Sequence, residues 1–152
     1  MRMRSAVMVA GLAAVGAGLT GCPSDSCPME SPQVSATPGS CIEVAGQPVS
    51  YPVRLCPTCN QAGATCVPDL SAAGTTRDIY LDIKVEACSS TSSCGGTACQ
   101  LNATTCNFTA PTVPDTYRVI VFDGLTETTM TSDLVVVSPG TPESCALPTA
   151  SL

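Results

Sequence analysis

Cysteine constrains this chain more than any other residue: there are eleven in 152 positions. An odd number cannot all pair within one chain, so at least one has another use. Cys22 stands apart from the rest. It closes Leu19-Thr20-Gly21-Cys22 at the end of the only long apolar run. The other ten are Cys27, Cys41, Cys56, Cys59, Cys66, Cys88, Cys94, Cys99, Cys106 and Cys145. Ten is even, as internal bridging in an exported chain requires. Such a density of bridges needs an oxidising compartment. The pairing itself stays open, because ten cysteines allow on the order of a thousand connectivities.

The segment before Cys22 reads as a targeting signal. Arg2 and Arg4 make a basic start, and Ala6 to Leu19 is apolar and uncharged. That run has 14 residues, short of the roughly 20 that a helix needs to span a bilayer. It fits a secretory signal better than a permanent anchor. An ordinary signal ends in small residues of the A-x-A type; this one ends in LTGC. The arrangement resembles the lipobox of bacterial lipoproteins. The resemblance implies that the thiol of Cys22 receives a diacylglycerol and that residues 1–21 are a signal peptide cut off before it. The new amine is then often acylated. Two or more acyl chains anchor stably, where one binds only marginally. Pro23 follows the lipid cysteine, where the familiar inner-membrane retention signal is Asp, so an outer-membrane address is expected. The alternative is an ordinary signal peptide with Cys22 as one more disulfide partner.

Removing residues 1–21 leaves four basic residues (Arg54, Arg77, Lys84 and Arg118) against twelve acidic ones, a net charge of −8. A chain this acidic has no electrostatic footprint for nucleic acid. Anionic headgroups would repel it, so the lipid on Cys22, and no basic patch, must hold it to a membrane. Its rings are few: three Tyr, two Phe and no Trp. Large rings supply much of the buried area of ordinary cores, so the core is expected to be thin. Disulfides compensate, at about 2–4 kcal/mol each.

Residues 22–38 are rich in Pro and Ser and read as an extended spacer, whose stretch Gln33 to Ala36 has the makings of an edge strand. Residues 139–152 carry Pro139, Pro142 and Pro148 and read as an irregular tail tethered by Cys145. Residues 39–138 form the domain. Cys41 to Val44 and Val49 to Leu55 are β-prone. Asp78 to Glu86 alternates, with Ile79, Leu81, Ile83 and Val85 on one face. Asp78, Asp82, Lys84 and Glu86 lie on the other, the period of a half-buried strand. Tyr80 is the exception on the polar face. Thr116 to Phe122 and Leu134 to Val137 are apolar and β-branched, as central strands are. Outside the signal no window has a helical apolar stripe. The fold class is therefore all-β, a disulfide-stapled sandwich or barrel.

Phe108 to Pro111, then Pro114-Asp-Thr-Tyr117-Arg-Val-Ile-Val121, resembles the passage from strand E to strand F in bacterial immunoglobulin-like sandwiches. The resemblance implies that Tyr117 is a tyrosine corner, its hydroxyl bonded to backbone a few residues upstream. Asp123-Gly124 would turn the chain into strand G. The strand-C Trp and the cysteine two residues past the tyrosine, both of antibody-type domains, are missing; Val119 stands at the latter position.

Chemistry has few footholds. Cys56-Pro-Thr-Cys59 has the spacing of a thiol–disulfide oxidoreductase, whose first thiol is activated at a helix N-terminus. The residues after it, Asn60 to Pro68, carry no helical pattern, so structural bridging is expected. Four thiolates make a zinc site, but there is no His and only one C-x-x-C, and no metal is expected. Cys88 to Cys106 reads as a loop or irregular strand stapled by bridges. Asp78, Asp82, Asp115, Asp123 and Glu127 do not form a spaced calcium loop and read as solvated charge. Asn102-Ala-Thr104 and Asn107-Phe-Thr109 match the N-glycosylation pattern, which carries little weight in a bacterial cell. With no His, neither Ser-His nor Cys-His catalysis is available. The expectation is a non-enzymatic, cofactor-free, lipid-anchored envelope protein with a structural or adhesive role, its partner a protein or cell surface. The alternative is a small disulfide-stabilised inhibitor or ligand-binding module, acting through the Cys88–Cys106 loops.

Overall fold

The computed structural model describes residues 27–58, 60–87 and 102–149. Ten strands follow one another: β1 (Met29–Glu30), β2 (Val34–Ala36), β3 (Ser40–Val44), β4 (Pro48–Leu55), β5 (Gln61–Asp69), β6 (Asp78–Ala87), β7 (Asn102–Thr109), β8 (Asp115–Asp123), β9 (Thr128–Val137) and β10 (Ser144–Cys145). No helix occurs among the described residues. The chain is all-β.

The strands make two sheets. The large one runs β6-β8-β9-β3-β10; β5 lies along one edge of β6, and β1 follows β8 end to end along the other. The small one runs β2-β4-β7. Two neighbours are parallel, β3 with β9 and β6 with β8; the other pairs are antiparallel. Alternation decides what each sheet buries. The small sheet contributes Val49, Tyr51, Val53 and Leu55 from β4; the large one contributes Ile79, Leu81 and Ile83, Tyr117, Val119 and Val121, and Leu134 and Val136. All belong to one core between the layers. Tyr51 is fully buried, and its hydroxyl bonds the Ser132 hydroxyl of β9, tying sheet to sheet.

The folded unit begins before residue 39. Met29–Glu30 pairs with β6 and Val34–Ala36 pairs with β4, so two strands of the folded unit lie within residues 22–38, which are not a spacer throughout. The chain passes from one layer to the other through Ser31-Pro32-Gln33, across the turn joining β8 and β9. Pro32 is buried and its carbonyl accepts the Gly124 N–H at 3.0 Å. Any side chain at Gly124 would collide with the Ser31 carbonyl. The Asp123 carboxylate accepts the Val34 N–H at 3.0 Å. Nor is the tail wholly irregular: Ser144–Cys145 pairs with β3, and the Arg54 guanidinium holds the Pro148 carbonyl at 3.1 Å.

β5 is the strand that propensity hides. Gly63, with φ at +63°, lies where its pairing with β6 shifts register between Ala62 and Thr65. This is a bulge, and glycine makes the left-handed conformation cheap there. β7 takes up the last five residues, 102–106, of what reads as a stapled loop and pairs with β4 along its whole length.

Candidate functional site

The cysteine expectations divide by position. Cys22, Cys59, Cys88, Cys94 and Cys99 lie outside the described residues. Cys27, Cys41, Cys56, Cys66, Cys106 and Cys145 are all disulfide-bonded. Cys41–Cys145 joins in-register neighbours on β3 and β10 across 104 residues of sequence. It fastens the tail to the domain. Cys66–Cys106 spans 40 residues and runs from β5 in the large sheet to β7 in the small one. Cys56 directly follows β4, and the chain beyond it enters β5 at Gln61. A strand follows the C-x-x-C motif where thiol activation would need a helix start. The depression beside it, between Leu55, Pro57 and the Gln61–Ala64 end of β5, holds about 60 Å³. Ligand sites for small molecules begin at roughly 300 Å³.

Tyr117 sits near the start of β8 and is 2% exposed. Its hydroxyl donates to the Val113 carbonyl at 2.9 Å, four residues upstream. Arg77, itself at a positive φ of 64°, covers the ring with its guanidinium 5.5 Å from the centroid. The same guanidinium pairs with Asp115 at 2.8 Å and donates to the Ala73 carbonyl at 3.3 Å. The ring is thus clamped from core and surface together.

Four of the five carboxylates are individually engaged. Asp78 departs from the expectation of solvated charge: it is 5% exposed. Arg118, its partner on β8, donates to it at 2.9 Å, and Thr76 donates at 2.8 Å. The Thr76 bond and, against burial, Arg118 hold its carboxyl below the ordinary 3.8. Asp123 is buried as well. Burial pushes its carboxyl up, but the Thr126 hydroxyl and the N–H groups of Val34, Leu125 and Thr126 outweigh that and leave it below 3.8. Asp82 pairs with Lys84 at 3.2 Å and Asp115 with Arg77. Glu127 sits at a positive φ in the β8–β9 turn. No group of three or more His, Cys, Asp or Glu able to hold a metal ion occurs among the described residues. Glu43 goes the other way from the aspartates: burial, and then Glu143 in the tail, push its carboxyl above 4.5.

The outer face of the large sheet is the surface with most to offer. Thr116 to Phe122 reads as a central strand, and β8 is central, but only one of its faces is covered. Ile120 is therefore half-buried and Phe122 is 42% exposed. Tyr80, directly opposite Ile120 on β6, is 43% exposed. Val67 on β5 is opposite Asp82 and 63% exposed. Register therefore makes one cluster, with Val67 and Phe122 on the two diagonals of Tyr80, within reach of one another. Sequence reading isolates Tyr80 as an anomaly but misses its neighbours. The available signal was the unbroken run Val119 to Phe122, which has no polar side to give the solvent.

Compared with protein-family models, curated proteins and solved structures, the chain matches none.

Proposed function

We propose that this chain is a bacterial lipoprotein: a non-catalytic, disulfide-stapled sandwich held to the outer membrane through a lipid on Cys22, with an adhesive or structural role at the cell envelope. The observation that carries the reading is the cysteine balance. Every cysteine among the described residues is bridged, as an oxidising compartment demands. Cys22 is the one that follows a basic start, an apolar run and two small residues. The proposed immunoglobulin-like kinship draws support from Tyr117, whose hydroxyl bonds back to Val113 at the start of β8. It departs from that family in the parallel pairing of β6 with β8, since those sandwiches consist of antiparallel sheets. The interaction role draws support from the open apolar cluster on the large sheet.

Cys22→Ser tests the anchor. Metabolic labelling with a fatty-acid analogue is expected to mark the parent protein and leave the variant unlabelled and released from the membrane. Label kept by Cys22→Ser would sink the reading.

A further inference from the structure

We propose that the outer face of β5, β6 and β8 is a docking surface for a cationic polypeptide that presents apolar side chains. The proposal deepens the interaction role above and rests on it. Its first support is where the rings are. The chain has five aromatic side chains. Tyr51 and Tyr117 fill the core and Phe108 packs against it. The remaining two, Tyr80 and Phe122, stand diagonal to each other on one open face, each more than two-fifths exposed. A chain so short of rings for its core leaves these two in water, with Val67 and Ile120 beside them. Half-exposed aromatic side chains on a flat rigid sheet are the usual anchors of a protein contact.

The charge around the cluster selects the partner. Asp69, Asp82, Glu86 and Asp133 fringe it on β5, β6 and β9, while the face carries only Lys84 and Arg118 in return. Both cations are already occupied, Lys84 by Asp82 and the Ser31 hydroxyl at 3.0 Å, Arg118 by Asp78 at 2.8 Å. Neither Glu86 nor Asp133 has an ion partner among the described residues. An anionic rim around an apolar centre complements a basic partner with apolar anchors. An anionic membrane surface would be repelled. A second copy would bring the same surplus of carboxylates against itself.

The test uses the full chain as extracted from cells in neutral detergent and fluorescein-labelled peptides of alternating Arg and Phe or alternating Arg and Ser. The Arg–Phe peptide is expected to bind at least about tenfold tighter, and both Phe122→Ser and Tyr80→Ser to weaken it by about tenfold, as loss of an aromatic anchor does. Asp82→Asn with Asp133→Asn is expected to weaken binding and flatten its salt dependence. Thermal melts of the ring variants should match the parent, since both rings are surface groups. Equal binding of the two peptides would mean plain charge adsorption and overturn the proposal, as would binding indifferent to both ring variants. Dimerisation abolished by Phe122→Ser would give the face to a second copy and overturn it equally. Because the assay follows the face and not the anchor, lipidation failing at Cys22 would leave its outcome unchanged.

Discussion

Single side chains hold this thin core together, and Tyr117 is the clearest. Tyr117→Phe removes only the hydroxyl that meets Val113 and is expected to cost about 1 kcal/mol, up to about 3 if the carbonyl is left dry. Tyr117→Ala also empties a buried ring site and should cost about 3–5 kcal/mol. Tyr80→Ala, on the open face, should stay within about 1 kcal/mol of neutral. Denaturant melts that rank Tyr80→Ala as the worst of the three contradict the clamp. Like Asp78, Asp123 contributes to the acid limb. Its folded carboxyl lies below its ordinary 3.8, so its contribution is complete above that value and is lost as pH falls through the lower folded one. Asp123→Asn should therefore cost about 1–3 kcal/mol at neutral pH, and the penalty should shrink in acid melts. Glu43 has the opposite sign. Its carboxyl is raised above 4.5, so whatever it contributes is present in acid and lost as pH rises through the folded value. Glu43→Gln should then stabilise at neutral pH and do nothing in acid; a gain that persists unchanged in acid would contradict the burial argument.

At the level of elements, the crossing between layers depends on a glycine. Gly124→Ala drives a methyl into the Ser31 carbonyl and is expected to cost about 1–3 kcal/mol, the range for overpacking. Chemical denaturation measures it, and a neutral result would mean the 31–34 crossing does not sit against the β8–β9 turn. The strands that were legible in the sequence are those whose pattern records burial on one side. β6 alternates from Ile79 to Val85, and its inward residues are all at most 3% exposed. β5 was illegible because Ala62, Gly63, Ala64 and Pro68 carry little strand preference; pairing with β6 and the bridge from Cys66 to Cys106 make it a strand. β7 was half-legible: its first residues fall in the Cys88–Cys106 stretch, whose little apolar material leaves loop and irregular strand alike until β4 supplies a partner. Asp78 looked solvated because sequence cannot say that Arg118, forty residues on, will lie over it. The open cluster was illegible for the same reason: Tyr80, Phe122 and Val67 meet only through register.

The whole molecule is a small two-layer β unit with few rings, in which covalent cross-links supplement burial. Removing the Cys41–Cys145 bridge by paired alanine substitutions should cost about 2–4 kcal/mol and release the tail, which limited proteolysis after Pro139 would report; an unchanged melt and an uncut tail would contradict that role. The bridges, the apolar N-terminal run and the single cysteine at its end are what the proposed account, a lipid-anchored exported domain, rests on. Intact-mass analysis with disulfide mapping, on protein extracted from membranes without reductant, tests that account most directly. It predicts an N-terminus at a lipid-modified Cys22, the other ten cysteines in five internal bridges that include Cys41–Cys145 and Cys66–Cys106, and no reactive thiol. A chain still carrying residues 1–21, or one with Cys22 in a disulfide, would contradict it.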